Sequence, residues 1–356
     1  MMCGLSGVVF EKFNFDQQIE IDVLLKSKDG LFISKEIRSN KFFLYAVSHP
    51  EIFDKLEFII SDDEIKEDIS FYIKKIIPLQ IEFIEKYSGF EIQKLDTWDI
   101  LFSRFLYFVL NSVDKNLEVR GRDSFGISIK VKSKLIPAIS NDDCTNFSCF
   151  MDGDGYISLV AIKVANESGR LGQNVEFVKE QLNKKGILRA IFESQWSESS
   201  ILAHTRWATV GGVNLANCQP ISSVELFRNA ICYAINGDIT NYVELDQNKK
   251  LKSSDSDSQV LRFLFDELRE PANEDYFQCV SKIKGSVAVA MMPLFGKNRI
   301  LLSLRGLQGL FIGRLDGATV FASDLYGIVE LTPEYLRVQN LDNYVLNANG
   351  AMPINA

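Results

Sequence analysis

The chain has 356 residues, 46% of them hydrophobic and 24% charged, with a formal net charge of −8. That length buries a substantial core and fits one large or two average domains. The acidic balance argues against a nucleic-acid partner, and no run approaches the ~20 apolar residues of a membrane-spanning helix, so no membrane partner is expected.

The first ten residues lack a basic segment and soon reach Glu11 and Lys12, which argues against a secretory signal and for a cytoplasmic address. Residues 13–112 then differ from the rest. They are rich in Lys, Glu, Ile and Phe and carry none of the motifs found elsewhere. Ser61 with Glu64 forms a capping box, followed by Ile65, Ile69, Ile73 and Ile76 on one face, and Pro78 reads as the stop. An aromatic-rich helix is expected from Trp98 to Leu110. The whole stretch reads as a large, partly helical insertion, of unassigned role, within a single domain spanning 1–356.

After the insertion, short apolar runs bounded by Gly, Asp and Asn predict strands: Ile157–Val164, Ser200–Ala203, Ala230–Ile235, Ser286–Met292, Ile300–Ser303, Leu310–Arg314 and Ala318–Ala322. Two helices interrupt them. Val175, Val178 and Leu182 follow Asn174 at helical spacing, with Gly186 as the stop. Val260, Leu261, Leu264 and Leu268 form a second stripe, opened by the Ser-Asp run Ser253–Ser258. Strands and helices come in blocks, which is α+β rather than repeating βαβ.

Six cysteines are scattered without a tight framework and read as small buried apolar residues in a reducing compartment. A zinc site from Cys144, Cys149, Cys218 and Cys232 lacks a C-x2-C pair. Only His49 and His204 are present. Neither a metal nor a cofactor is expected.

Three segments carry the chemistry. In Met1-Met2-Cys3-Gly4-x-x-Gly7, a Cys3 freed of the two methionines would join a thiol nucleophile and an α-amine on one residue. The amine titrates near neutral pH, which suits proton transfer. In His204-Thr205-Arg206-Trp207-Ala208-Thr209-Val210-Gly211-Gly212, Arg206 can grip a carboxylate, Thr209 can add a hydroxyl, and Trp207 can cover a site, with the glycines as a hinge. A surface Arg–carboxylate pair is the plain alternative. Asn236-Gly237-Asp238 is either a hairpin turn or an oxyanion hole built from the Asn236 amide and the Gly237 N–H. Asp257 heads the second helix, as an N-cap or as the partner of a ligand's ammonium group.

This ordered set resembles the glutaminase domain of the class II, N-terminal-nucleophile (Ntn) glutamine amidotransferases, and glucosamine-6-phosphate synthase in particular. The matching motifs are Cys3–Gly7, Arg120-Gly121-Arg122-Asp123-Ser124, His204–Gly211, Asn236–Asn241, Asp257-Ser258-Gln259-Val260, Lys284-Gly285-Ser286 and Ala322-Ser323-Asp324. The likeness covers roughly residues 1–12 and 113–345. It implies a four-layer αββα sandwich of two antiparallel sheets. It also implies that Cys3 attacks glutamine to form a thioester, Asn236 and Gly237 hold the oxyanion, and Arg120 organises the Cys3 terminus. Arg206 and Thr209 would hold the α-carboxylate, Asp257 the α-amine, and Trp207 would gate the site.

Three histidines of the family pattern are replaced here, by Val210, Gln219 and Ile235. Maturation at Cys3 is routine if translation starts at Met2 and is blocked by a retained Met2 if it starts at Met1. Because the chain ends soon after the expected end of the glutaminase domain, the resemblance implies a subunit that passes ammonia to a separate synthase acting on a sugar phosphate. The alternatives are a degenerate, non-catalytic glutamine-binding or regulatory partner, and an amidotransferase subunit serving a different acceptor.

Overall fold

The computed structural model describes residues 3–12, 24, 30–49, 51–52, 56, 67, 69–114, 121–166, 172–208, 210–223, 230–248, 250–252, 255–268, 270–332 and 334–354. In chain order the strands begin with β1 (Gly4–Glu11), β2 (Ser124–Ser133), β3 (Thr145–Asp152), β4 (Gly155–Val164) and β5 (Trp196–Arg206). There follow β6 (Ile221–Ser223), β7 (Ile231–Ile239), β8 (Gly285–Pro293), β9 (Ile300–Arg305) and β10 (Phe311–Leu315). The last are β11 (Ala318–Ala322), β12 (Tyr335–Arg337), β13 (Asn343–Asn347) and β14 (Gly350–Pro353). One sheet runs β12-β10-β11-β1-β5-β2-β4-β3 and the other β14-β13-β9-β8-β7-β6. Every strand pairing is antiparallel.

Period-2 alternation assigns the faces. In β2, Phe125, Ile127, Ile129 and Val131 join a core shared with helices, while Ser128 and Lys130 alternate to the opposite face. In β7, Ile231, Tyr233 and Ile235 face a second helical layer, while Cys232 and Ala234 enter the core between the sheets. That middle core also takes Leu5 and Val9 of β1 and Ala288, Ala290 and Met292 of β8. Helices, sheet, sheet, helices: this is the four-layer αββα arrangement expected above.

The labelled helices are α1 (Gly30–Arg38), α2 (Asn40–Ser48), α3 (Ile77–Ser88), α4 (Thr97–Ser112), α5 (Gln173–Lys184), α6 (Ile187–Glu193), α7 (Val260–Asp266) and α8 (Asn273–Ser281). The first six sit with the larger sheet, and α7 and α8 cover the smaller one. Helix α4 is the expected aromatic helix, capped by Asp96, whose carboxylate accepts from the N–H groups of Trp98 and Asp99 at 2.8 Å each. Its Phe102 stacks edge-on against Phe10 of β1 at 5.3 Å and Trp196 of β5 at 5.1 Å. Each such ring buries apolar surface and contributes about 1.5–3 kcal/mol. The described part of the 13–112 stretch therefore covers the outer face of the larger sheet.

Two local expectations are corrected. Pro78 does not stop a helix: a π-turn over Tyr72–Ile76 runs straight into α3, and Pro78 lies in its first turn. The wider turn accommodates a residue with no N–H to donate. The capping box at Ser61 and Glu64 lies outside the described residues, while Ile69, Ile73 and Ile76 are buried as the stripe predicted. Asn236-Gly237 is not a turn but part of β7. No helix among the described residues is long and apolar enough to cross a membrane.

Candidate active site

Strands β1, β5 and β7 bring their chemistry to one end of the sandwich. Cys3 immediately precedes β1, and Gly4 pairs with Thr205 near the end of β5. The Gly4 N–H donates to Thr205 Oγ1 at 3.0 Å, and the Leu5 N–H to Ser323 Oγ at 3.0 Å. These bonds fix the path of the backbone leaving Cys3.

Across the sandwich, β7 presents a partly unpaired edge. Its ladder to β6 stops at Tyr233 opposite Ile221. Beyond that point side chains replace the missing strand: Ile235 N–H donates to Gln219 Oε1 at 2.6 Å and Ile239 N–H to Asp257 Oδ2 at 2.8 Å. Backbone groups alternate edges along a strand. The Gly237 N–H therefore turns to this same edge, between two capped amides, where the edge meets the cavity. Gly237 has φ 123°, and a Cβ there would lie 1.9 Å from Ser286 O. Only glycine lets β7 lie this close to β8.

Cys3, Arg206, Trp207, Gln219, Ile235, Gly237, Asp238 and Asp257 line one small cavity of about 10 Å³. The Cys3 Sγ accepts from Trp207 N–H at 3.4 Å. Burial pushes the thiol pKa up, partly offset by the Trp207 N–H and the Arg206 guanidinium, while Asp238 and Asp257 push it further up. Asp257 is likewise raised by burial, against the N–H groups of Ile239 and Ser258. Burial in this small cavity therefore favours the neutral thiol over the thiolate.

Arg206 is the last residue of β5 and folds over its own loop. Nη1 donates to Gly212 O at 3.1 Å and Nη2 to Val210 O at 2.5 Å. Asp123 Oδ2 accepts from Ala208 N–H at 2.7 Å, and Asn217 Nδ2 donates to Gly212 O at 3.0 Å. Gly211, at φ 78°, sits where a Cβ would meet Asp255 O at 2.7 Å. Gly211 thus permits a close approach of the loop to the backbone at Asp255.

Of the residues picked from sequence, Cys3, Arg206, Trp207, Gly237 and Asp257 meet in the cavity. Asn236 is buried beside it rather than lining it, and its Oδ1 has no hydrogen-bond partner among the described residues. Arg120 and Thr209 lie outside the described residues. Asp257 does not cap a helix. It sits inside a 3₁₀ turn, Asp257–Gln259, and ties that turn to β7. Gln219 and Asp238 were missed as lining residues. Asp238 stood in the Asn-Gly-Asp motif, but no role attached to it, and Gln219 carried only the signal of replacing a family histidine. Among the described residues no three His, Cys, Asp or Glu side chains are grouped to hold a metal.

Comparisons with known proteins point the same way. The glutamine amidotransferase domain family matches residues 204–330. The isomerizing glutamine–fructose-6-phosphate aminotransferase of Bacillus licheniformis is 28% identical over 198 residues, covering 54% of this chain and 31% of that protein. Its namesake from Thermotoga maritima is 30% identical over 154 residues, covering 42% of this chain and 25% of that protein. The chain therefore spans about a third or less of the curated relatives it matches. Among solved structures, glutamine phosphoribosylpyrophosphate amidotransferase from B. subtilis aligns over 70% of this chain and 46% of its own, with 19% identity and a TM-score of 0.48. The ordered motifs and the match over residues 204–330 make this chain similar to the glutamine amidotransferase domains, and its motif set resembles that of class II.

Proposed function

We propose that the chain hydrolyses glutamine through Cys3 and delivers the ammonia to a synthase, carried on a separate subunit, whose acceptor is a sugar phosphate. The observation that carries this reading is the placement of the Cys3 thiol and the open Gly237 edge on one cavity, with Arg206 and Asp257 beside them. Once Met1 and Met2 are removed, the α-amine of Cys3 takes the thiol proton, directly or through one water. Sγ then adds to the side-chain amide carbon of glutamine. The Gly237 N–H and the Asn236 amide take the oxyanion, a contribution worth about 3–4 kcal/mol per donor in comparable sites. The protonated amine returns its proton to the departing nitrogen, ammonia leaves, and water cleaves the thioester to glutamate.

Arg206 answers the substrate carboxylate, with Thr209 assisting, and Asp257 answers the α-ammonium group; Trp207 covers the bound substrate, and Arg120 organises the Cys3 terminus. The sugar-phosphate acceptor is supported by the curated relatives, whose names carry fructose 6-phosphate. A raised thiol pKa also fits a nucleophile that needs a base at its side, which the amine supplies.

The test is glutamate release from glutamine by protein whose N-terminal residue, identified by intact mass, is Cys3. Turnover that falls at least ~10³-fold in Cys3→Ala supports the reading. Tight glutamine binding by the Cys3-terminal protein without any turnover selects the binding-only alternative instead.

A further inference from the structure

Side chains hold both the N–H and the C=O of Ile235, directly before the two proposed oxyanion donors. Its N–H donates to Gln219 Oε1 at 2.6 Å, and its carbonyl accepts from His204 Nε2 at 2.8 Å. Both gripping residues are buried. The β6–β7 register, with Ile221 opposite Tyr233, puts position 219 opposite Ile235, so the Gln219 amide stands where the next backbone carbonyl of a longer β6 would be. Gln219 Nε2 reaches Ser258 Oγ at 3.4 Å, beside Asp257.

His204 comes from the other sheet. It lies in β5 opposite Leu5 of β1 and Gly126 of β2, one residue before Thr205, which holds the Gly4 N–H. Consecutive residues of β5 thus touch the strand that follows the nucleophile and the strand that carries the oxyanion donors. The middle layer is mostly apolar, and other hydrogen bonds across it, Lys130 Nζ to Pro293 O and Thr319 Oγ1 to Asn347 O, hold β8 and β13 rather than β7. Apolar contact sets the spacing between the sheets but does not by itself fix where β7 lies against β5. A hydrogen bond has direction and does set it. A carbonyl only accepts, so Nε2 carries the proton and Nδ1 is left with a lone pair, and Nδ1 has no partner among the described residues. Burial lowers the pKa of the ring to about 3, so it stays neutral and keeps this bond throughout the physiological range.

We infer that His204 and Gln219 are positioning residues: they clamp the Ile235 backbone so that the Gly237 N–H faces the Cys3 thiol across the two sheets. The inference rests on the glutaminase reading above. Neither side chain needs to touch the reacting atoms; each acts through β7. Loss of either anchor lets β7 drift, and the proposed oxyanion contacts weaken while substrate binding through Arg206 and Asp257 persists.

The experiment uses the full chain with Cys3 at its terminus and compares His204→Phe, His204→Gln, Gln219→Met and the wild type. Gln places an amide N–H near the position of Nε2, so it restores the donor that Phe removes. The clamp predicts a kcat loss in His204→Phe and Gln219→Met of at least tenfold, reaching toward the ~10²–10³ of a lost oxyanion donor, with KM within about threefold. His204→Gln recovers most of the loss. Labelling of the Cys3 thiol by iodoacetamide stays within about twofold of wild type in all three. Hydrogen exchange at the Ile235 amide, read on the same proteins, loses protection in Gln219→Met.

Variants with wild-type kcat, a Gln variant no better than Phe, or a rise in KM alone would overturn the clamp. Wild-type protein that releases no glutamate overturns the glutaminase reading instead. In that case the Ile235 amide still decides whether the clamp exists: unchanged exchange in Gln219→Met removes it.

Discussion

Gly237→Ala tests the geometry of the β7 edge most directly. The added Cβ would lie 1.9 Å from Ser286 O and 2.9 Å from its carbonyl carbon, both backbone atoms of β8. Real contacts of this kind stay beyond 3.0 Å, so β7 and β8 must separate locally by about 1 Å, which no side-chain rotation can supply. The backbone φ of 123° adds a conformational cost of about 1–3 kcal/mol for any residue with a Cβ. A displacement of that size at a reacting centre costs on the order of 10²-fold in rate, and full loss of the N–H donor 10²–10³-fold. Gly350→Ala is the control: its φ is 138°, yet the nearest atom to a Cβ is Arg314 Cδ at 4.0 Å. Measured together by glutamate release and urea unfolding, Gly237→Ala should lose at least ~10²-fold in kcat, and Gly350→Ala should lose stability alone. A Gly237→Ala protein with kcat within threefold of wild type would refute the placement of the Gly237 amide.

Arg104→Ala should destabilise by about 3–5 kcal/mol in urea unfolding and Arg104→Met by clearly less, because the fully buried guanidinium bonds Gln80, Asn40, the Arg38 carbonyl and Tyr72 and lies over Phe43. His204, with its pKa lowered to about 3, binds a proton in the unfolded chain before it does in the folded one. Its contribution is complete above pH ~6.5 and is lost as pH falls toward 3, at up to ~1.4 kcal/mol per unit, so His204→Gln should flatten the stability profile between pH 6 and 4. Asp99 is the opposite case. Burial raises its pKa to about 6, so its contribution is present below pH ~4 and is lost as pH rises through 6. Asp99→Asn keeps an acceptor for Trp196 Nε1, at 2.8 Å in the wild type, and should raise stability at pH 7.5 by about 1 kcal/mol; a loss there would overturn the sign.

The motifs that can be read in sequence are those whose residue types are rare and chemically specific. Cys3, Arg206, Trp207, Gly237 and Asp257 stood out because thiol, guanidinium, indole, glycine and carboxylate each do something few others do. Gln219 did not, since its work is that of a backbone carbonyl, and whether a side chain substitutes for a strand depends on where β6 ends. Of the two readings of Asp257, the N-cap fails: a carboxylate before a helical stripe has that local meaning, whereas Asp257 accepts from the adjacent Ser258 N–H and from Ile239, 18 residues away. Strand β2 was passed over although Phe125, Ile127, Ile129 and Val131 alternate cleanly. Buried Lys130, whose Nζ donates to Pro293 O at 3.0 Å, breaks the apolar pattern on its other face. Within the 13–112 stretch the Ile69, Ile73 and Ile76 stripe and the aromatic helix α4 were legible, whereas α1, α2 and α3 were not read. That these elements cover the outer face of the larger sheet was not legible, because an apolar stripe does not name the surface it will meet.

The small cavity also constrains how glutamine, the proposed substrate, would enter. About 10 Å³ is room for roughly one water, far less than an amino acid. The loop cannot yield first at Val210–Gly212, where Arg206, Asn217 and the backbone at Asp255 pin it. Trp207 is held differently: the residue is 40% exposed and its N–H rests on the Cys3 thiol, although Asp123 ties the backbone on either side of it. Opening that begins at Trp207 therefore uncovers the Cys3 thiol and admits solvent in the same movement. Because burial is the largest cause of the raised thiol pKa, admitting water lowers it, although loss of the Trp207 N–H acts the other way. The larger effect decides the sign, so opening should increase the thiolate fraction. The rate at which iodoacetamide labels Cys3 then reports the open fraction of the site, and Trp207→Ala should raise it even where glutamine turnover falls.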